Sequence, residues 1–578
     1  MSDREPIEPD ADGIEEGKRL IRVGGDKGLS LTERFANQVH RFTWRTPLHA
    51  LRLRGRFPLK LVAVPEDPMP GDARVGIALL KGEIAWRGET LPIAELDFAK
   101  LKVSTPLMEY LHGFGWLRDL DTAGTRAAAV PVAESIMRKW LAAHGDTVSD
   151  PAWHYDLCAR RILLWSAHAP LILSSGDLIY RSAVLNGLAR TARHLDRGAD
   201  RAPPGAARIA AWAGVVAAGL LIPGGQPRRA FGEAGLIRAL DSGFFSDGGL
   251  ISRSPAALLE TIELLAMLRQ VYACRRERLF QPAQAALDHA VPALLGMLHG
   301  DGALASWQGG GPLGPERVEA AIAATGVRAR PLRQARDWGY QRLAAGNSVV
   351  IMDAAPPPVS RLATGGCAST LAFELSDGPH RIVVNCGGAG MGGGWLPDDL
   401  AEGLRTTAAH STLILNDHNS TAIHPDGSLG KGVGEVELDR QENEGGSRLE
   451  ASHDGYARRF GLIHRRTLNL SADGRELTGG DALEPTGRRH RDGVAFALRF
   501  HLAPGIEISA LADGQGALLR VPGGPVWQFR CNGGMLSTEE SLWVDGKARP
   551  RGTRQLVISG EAHAGGTAIG WVFKRAGQ

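Results

Sequence analysis

Residues 365–416 read GGCASTLAFELSDGPHRIVVNCGGAGMGGGWLPDDLAEGLRTTAAHSTLILN. Leu371–Leu375 and Arg381–Val384 are short apolar runs rich in Val, Ile, Leu and Phe, as a buried sheet requires. Ser376-Asp377-Gly378-Pro379 lies between them, and its residue types tolerate the backbone angles of a reversal. A Gly-rich loop follows, then a polar turn ending in His410, then a third strand over Thr412–Leu415. Outward from this stretch the C-terminal part keeps the same texture. Asn347–Met352, Gly434–Leu438, Leu462–Leu470, Glu476–Asp481 and Phe496–Leu502 read as strands between turn residues. Leu518–Val521, Val526–Cys531, Leu542–Asp545 and Ala568–Phe573 complete the set, which predicts a large antiparallel β-sandwich over residues 333–578.

Upstream, the period changes. Val130–His144, Tyr155–Ala167, Ser182–Leu195, Ala207–Leu220, Pro255–Ala273 and Pro282–His299 carry apolar residues at three- and four-residue spacings. Gly, Pro and Asp punctuate them, as at Pro203-Pro204-Gly205 and Asp247-Gly248-Gly249. Residues 61–332 are therefore read as a helical domain, either a closed toroid of helix pairs or an irregular bundle. Val75–Ile93 reads as short strands or extended connections. Residues 1–60 form a polar N-terminal arm with an amphipathic helix over Thr32–Arg41 and a basic run, Leu51-Arg52-Leu53-Arg54-Gly55-Arg56. That run is either a solvated segment packed on the body or a contact for an acidic surface.

With 578 residues and 43% hydrophobic content the chain can bury more than one core. A formal charge of +3 gives no support for nucleic-acid binding. Cys158, Cys274, Cys367, Cys386 and Cys531 are scattered without a CxxC pair, so neither a zinc ribbon nor a disulfide framework is indicated. The first residues, MSDREPIEPDADGIEEGKRL, lack the apolar core of a secretory signal, which points to the cytoplasm. No apolar run is long enough for a membrane span, and the glycines at 387–394 lack the strand–helix context of a dinucleotide fingerprint, so no nucleotide cofactor is expected. That Gly-rich loop reads as a flexible cover for a ligand.

Leu371-Ala372-Phe373-Glu374-Leu375, Val383-Val384-Asn385-Cys386-Gly387 and Arg405-Thr406-Thr407-Ala408-Ala409-His410-Ser411-Thr412 resemble the C-terminal domain of the heparinase II/III-like polysaccharide lyases. His453-Asp454-Gly455-Tyr456, His464-Arg465-Arg466 and Arg499-Phe500-His501 continue the resemblance through the last two fifths of the chain. It implies an N-terminal α/α toroid-like helical domain ahead of the sandwich. It also implies β-elimination on an acidic, uronate-containing polysaccharide, and a place in the cell envelope or periplasm. Such chemistry needs a polar group to neutralise the uronate, a Tyr or His base, and an acid for the leaving oxygen.

This sequence departs from the pattern at each of those places. Gly365 and Cys367 stand where the family has two histidines, and Ala206 and Ala207 where it has an Asn-His pair. After Asp247-Gly248-Gly249, where the family has a Tyr, the chain reads Leu250-Ile251-Ser252-Arg253-Ser254-Pro255. The resemblance also implies a zinc site, whose three positions here hold Cys367, Asn385 and His410. Cys and His are good zinc ligands and Asn a poor one. Otherwise His410 caps a loop and Cys367 is a small buried residue.

Aromatic faces stack on sugars and Arg forks pair with carboxylates. Trp116, Arg118, Arg161, Trp165, His168, Arg193, His194 and Arg253 are the substrate-binding candidates in the helical domain. Arg161, Trp165 and His168 share one helical face. They line a groove for an acidic oligosaccharide, or the Trp residues fill the core and the Arg residues are solvated. In the sandwich, Tyr456 is a base if Arg465 or Arg466 lowers its pKa, or else a turn residue. Glu374 and Asp377 are weaker candidates for a hydrolytic pair. Two functions therefore stand: a polysaccharide lyase, and a non-catalytic carbohydrate-binding or envelope-assembly protein on the same scaffold.

Overall fold

The structure is a computed structural model and describes residues 60–359, 365–391, 396–487, 493–563 and 565–576, with 14, 16–22, 44, 46–55 and 58 of the N-terminal region. The expected Thr32–Arg41 helix lies outside the described residues.

Helices occupy residues 73–325 and antiparallel strands most of residues 340–575. The helical domain packs Tyr155–Ala167, Leu178–Gly198, Gln226–Gly243 and Pro255–Ala273 around Ala206–Leu221. Ala206–Leu221 is the hub, in contact with the helices on both sides of it. Its sequence, AARIAAWAGVVAAGLL, is buried from Ile209 to Leu221, and small residues let neighbours approach closely. A methyl group on Gly214 would meet the Ala159 backbone at 2.8 Å. Ser104, Thr125, Asp177 and Ser254 cap their helices through side-chain oxygens, which is why those helices start where they do. Val75–Ile93 holds the expected short strands only in its second half. It is a helix, Ala73–Leu80, capped by Asp72, then a hairpin pairing Glu83–Trp86 with Glu89–Pro92.

Among the described residues the sandwich consists of a nine-stranded and an eight-stranded sheet. The larger one runs, in spatial order, Gly17–Arg22, Glu435–Asn443, Gly446–His453, Leu462–Ser471, Glu476–Pro485, Thr567–Arg575, Val526–Asn532, Gly516–Arg520 and Glu507–Ala510. The other runs Met535–Val544, Pro550–Ala562, Val494–Leu502, His380–Val384, Phe373–Asp377, Ser348–Asp353 and Tyr340–Ala345, with Leu413–Leu415 joined to Val494–Leu502. Leu462–Ser471 alternates buried and half-buried positions along its whole length, so one face meets the opposing sheet. Phe373, Phe500, Phe529, Trp571 and Phe573 fill the space between the sheets.

Two departures from the sequence reading matter. The hairpin turn is tighter than expected, because the strands Phe373–Asp377 and His380–Val384 leave only Gly378 and Pro379 at the reversal. Within the N-terminal arm, where the sequence reading places no strand, Gly17–Arg22 adds an edge strand to the larger sheet, paired antiparallel with Glu435–Arg440.

The two domains share apolar contacts. Trp338, Tyr340, Val349, Ile351, Ala372 and Met391 belong to the same buried cluster as the helices. The Asp247-Gly248-Gly249 turn makes that possible. Asp247 accepts the backbone N–H groups of Asp337 and Trp338, both at 2.8 Å, and a side chain on Gly249 would run into the Trp338 indole at 2.1 Å.

Candidate functional site

In a toroid-plus-sandwich lyase the reaction is expected between the two domains. Among the described residues that seam is packed with side chains of this chain. Arg253 projects from the loop between Gln226–Gly243 and Pro255–Ala273. Its guanidinium donates to the carbonyls of Trp338 at 2.8 Å and Pro356 at 2.7 Å, and to Asp353 Oδ1 at 2.6 Å. It also lies 4.9 Å from the Tyr340 ring centroid, a cation–π distance. Tyr340 closes the loop by donating its hydroxyl to the Arg253 carbonyl at 2.7 Å. Burial holds the Tyr340 phenol well above its usual pKa.

The second oxygen of Asp353 accepts from Ser369 Oγ at 2.7 Å and from Gln308 Nε2 at 3.4 Å. Gln308 in turn accepts the Cys367 backbone N–H through Oε1 at 2.8 Å. Arg253, Asp353, Ser369 and Gln308 are all buried, so both Asp353 oxygens face only this chain. The sequence signal for this network was slight. Asp353 is one acid closing an apolar run, SVVIMD, and Gln308 precedes a Gly triplet.

A second buried cluster lies beside it. Glu374 Oε1 accepts from the backbone N–H groups of Ser306 and Asn385 and from Asn385 Nδ2, each at 3.2 Å. Its Oε2 meets His299 Nε2 at 3.0 Å and Arg381 Nη1 at 3.5 Å. Burial works against the Glu374 charge, but His299, Arg381 and the backbone hold its pKa below the usual carboxylate value. Asp377 is likewise inside, with Trp527 Nε1 at 3.3 Å and Arg575 at 3.5 Å. Neither carboxylate is open to a substrate, so the hydrolytic pair is excluded by burial.

The glycine loop is not a free cover over its described part. Gly388 and Gly390 donate to the carbonyls of Gly310 and Gly309 at 3.0 and 2.8 Å. A methyl group on Gly309, which has φ +78°, would sit 3.0 Å from the Gly365 carbonyl oxygen and 3.2 Å from the Gly390 nitrogen. Glycines at 309, 365 and 390 thus let three loops meet backbone to backbone across the seam.

Among the described residues the substrate-binding candidates separate into four places, none of them an open groove between the domains. Arg161 and Trp165 are inside the helical core. The Arg161 guanidinium lies 4.2 Å from the Trp140 ring and 5.3 Å from Trp153. It donates to the Ala152 carbonyl and to Thr191 Oγ1. Trp165 packs edge-on against Trp140 and Phe114, and Trp116 is buried with its indole N–H on the Leu111 carbonyl. His194 is buried under the N-terminal segment, 3.3 Å from His49 and 3.0 Å from the Trp153 carbonyl, and Arg193 donates to the Leu53 carbonyl at 2.8 Å. Arg253 is the seam residue already described. A sugar cannot reach the buried members, because the aromatic stripe that periodicity found is the packing face of the helices.

Arg118 and His168 are brought together, by a residue not singled out from the sequence. Asp67 takes a bidentate pair from Arg118 at 2.8 and 3.0 Å and meets His168 Nε2 at 3.1 Å. Asp121 takes His168 Nδ1 at 3.1 Å. These residues line a polar cavity of about 350 Å³ with Glu66, Met69 and Thr122. Burial opposes the His168 charge, but its two carboxylates outweigh it and hold the pKa above the ordinary value. Asp67 is brought down to about 2, burial being outweighed by His168 and Arg118.

Tyr456 does not act as a base in this arrangement. Its hydroxyl donates to the Leu413 carbonyl at 2.9 Å, and burial pushes its pKa up. Arg466 is spent on Asp481 and on the carbonyls of Leu371 and Ser411. Arg465 turns outward to Glu450 and Glu484.

The zinc expectation rests on Cys367, Asn385 and His410, and the donors do not fit it. Asn385 Oδ1 accepts the Ser411 backbone N–H at 2.9 Å while its amide nitrogen faces Glu374. The Cys367 thiol donates to the Gly365 carbonyl at 3.3 Å, and burial raises its pKa to about 11, against the thiolate a metal needs. His410 Nδ1 donates to the Thr406 carbonyl at 2.7 Å, leaving one imidazole nitrogen with a lone pair. Among the described residues no group of three or more His, Cys, Asp or Glu side chains is placed to hold a metal ion. Among them, also, no helix is long and apolar enough to cross a membrane.

Comparisons with known proteins agree with this architecture. The profile of the heparinase II/III-like C-terminal domain matches residues 327–572. Heparinase III in its crystal structure superposes with a TM-score of 0.66 at 13% identity, over 96% of this chain and 93% of that one. A mutant of the heparan sulfate lyase HepC from Pedobacter heparinus gives 0.59 at 13% identity, over 95% and 90%. At that identity the likeness concerns the fold. In sequence, the chain is 30% identical to FtsZ-localized protein C of Caulobacter vibrioides (strain NA1000 / CB15N), covering 96% of this chain and 97% of the relative. A toroid-like helical domain sealed onto an antiparallel sandwich, with the matched profile spanning that sandwich, places this chain in the heparinase II/III-like family.

Proposed function

We propose that this chain keeps the lyase scaffold without the lyase reaction and serves as an envelope-assembly protein of the division machinery. The observation that carries the reading is the filled seam. In the stretch Leu250–Pro255, where the resemblance puts the catalytic Tyr, the chain has no Tyr, and its Arg253 is held by Asp353 and main-chain carbonyls. β-Elimination needs a Tyr or His that reaches the sugar. All six tyrosines are buried, as are His299 and His410 beside the seam. The likeness in sequence to a protein named for its localisation with FtsZ supports the assembly role, because it runs across both domains rather than the sandwich alone. The test is co-sedimentation of the purified protein with GTP-assembled FtsZ filaments of the same organism. Pelleting that depends on filaments supports the proposal, and equal recovery with and without them removes it.

The second reading is a lyase acting on a uronate-containing polysaccharide. The fold it shares with heparinase III and with a heparan sulfate lyase favours it. It requires a base outside the positions the family uses, and the polar cavity around Arg118, Asp67 and His168 is one open place in the helical domain where an acidic sugar would be tested.

A further inference from the structure

The Gly17–Arg22 strand lies at one edge of the larger sheet and is held there with little side-chain burial. It pairs in register with Glu435–Arg440, from Gly17 opposite Arg440 to Arg22 opposite Glu435. Its side chains are nearly all at the surface. Leu20 is 44% exposed, Gly17, Lys18, Leu20 and Arg22 are exposed, and Ile21 alone packs against the sandwich core. Two ion pairs of this strand, Arg19 with Asp337 at 2.7 Å and Arg22 with Glu435 at 2.9 Å, have each partner at least a third exposed. Exposed pairs of this kind hold little.

The edge beneath it is complete without it. Glu435–Asn443 is paired along Val436–Asn443 with Gly446–His453, and its Val436, Leu438 and Arg440 are buried. On the other face it presents Glu435, Glu437 and Asp439 in a row. Opposite them stand Arg22, Leu20 and Lys18. Two of the three pairings match in charge, and the middle one sets an exposed aliphatic against a carboxylate. A prebuilt edge with an acidic row calls for an extended segment that alternates basic residues with an inward aliphatic.

We propose that the Glu435–Arg440 edge is a strand-addition site, held in cis by Gly17–Arg22 and open to a partner segment of basic–aliphatic alternation that displaces it. The site stands on geometry of the sandwich and does not depend on the assembly reading above. Backbone ladder bonds supply the binding, the contact of Ile21 with the sandwich core sets the register, and the acidic row selects the charge of the incoming strand. The best occupant carries a basic residue opposite Glu437, where the chain's own strand has Leu20.

The experiment uses a fluorescent peptide of residues 14–23 and two full-length proteins, the natural chain and an Arg19→Ala/Ile21→Asp variant that releases its own strand. A truncation lacking residues 1–22 serves as the second acceptor, with circular dichroism confirming that each is folded. Anisotropy is expected to show binding to both altered proteins at least tenfold tighter than to the natural chain. A Leu20→Arg peptide is expected to bind several-fold tighter again, and an Ile21→Asp peptide not to bind. Absence of binding to both folded acceptors overturns the proposal. So does equal binding to all three proteins, which would place the peptide elsewhere.

Discussion

Arg253→Leu is the substitution that bears most on how the two domains are joined. Arg253 is buried, and its charge is matched by Asp353, also buried. Removing one member of such a pair leaves the other uncompensated, at a cost of about 3–5 kcal/mol. The Trp338 and Pro356 carbonyls lose their Arg253 donor as well. At about 1 kcal/mol each for an unmet buried acceptor, and with some return from the leucine, the loss comes to about 5 kcal/mol. The left-handed backbone of Arg253, φ +56°, is no reason for a difference, since Leu and Arg are strained alike there. Arg253→Leu with Asp353→Asn removes the orphaned charge and is expected to recover about 2–3 kcal/mol of the loss. The assay is urea unfolding followed by tryptophan fluorescence and far-ultraviolet circular dichroism, since Trp338 sits in the seam. Two coincident probes in the natural protein and two separated transitions in Arg253→Leu are the expected pattern. A loss below about 1 kcal/mol, or a double variant no better than the single one, refutes the reasoning.

Three further outcomes concern other buried groups. Burial, with help from His144 and Arg161, brings His112 down to about 3, and burial brings His501 to about 3 against the Ala408 carbonyl. The folded form holds both neutral, so their contribution is complete above the unfolded value of 6.5 and is lost as pH falls toward about 3. Between pH 6.5 and 5 each histidine removes about 2 kcal/mol, so the urea midpoint falls over that range, and a pH-independent midpoint would contradict it. Gly309→Ala puts a methyl group 3.0 Å from the Gly365 carbonyl at φ +78°, and is expected to lose about 1–3 kcal/mol in the same titration. Zinc or a chelator is expected to leave the melting temperature where it is, and a rise with zinc that His410→Ala abolishes would restore the metal site.

What could be read in advance follows from where information sits in a chain. Alternation and turn residues located the sandwich strands because one face of each is buried, as in Leu462–Ser471. The helix Tyr155–Ala167 was legible to its ends because its apolar positions repeat and Gly and Pro flank its neighbours. The strands Pro550–Ala562 and Gly17–Arg22 were not, since their exposed residues hide the pattern. In the site, residue type was legible and direction was not. Arg161 and Trp165 sit at the spacing of a binding face, but that face turns into the Trp140 and Trp153 core. Arg118 and His168 needed Asp67, distant in sequence, to become a site. Arg253 was found as an arginine, while its partners Asp353, Trp338 and Pro356 come from the other domain, and no local pattern records a contact across about a hundred residues.

On the proposed reading the scaffold does not carry out β-elimination. The measurement that meets it most directly is incubation of the purified protein with a panel of uronate-containing polysaccharides, following the ultraviolet absorbance of the unsaturated sugar that elimination leaves. The expected result is an absorbance indistinguishable from the protein-free blank with every polymer, with Arg253→Leu giving the same. A rise that scales with protein concentration on any one polymer would contradict it, and would place a working base outside the seam that Arg253 fills.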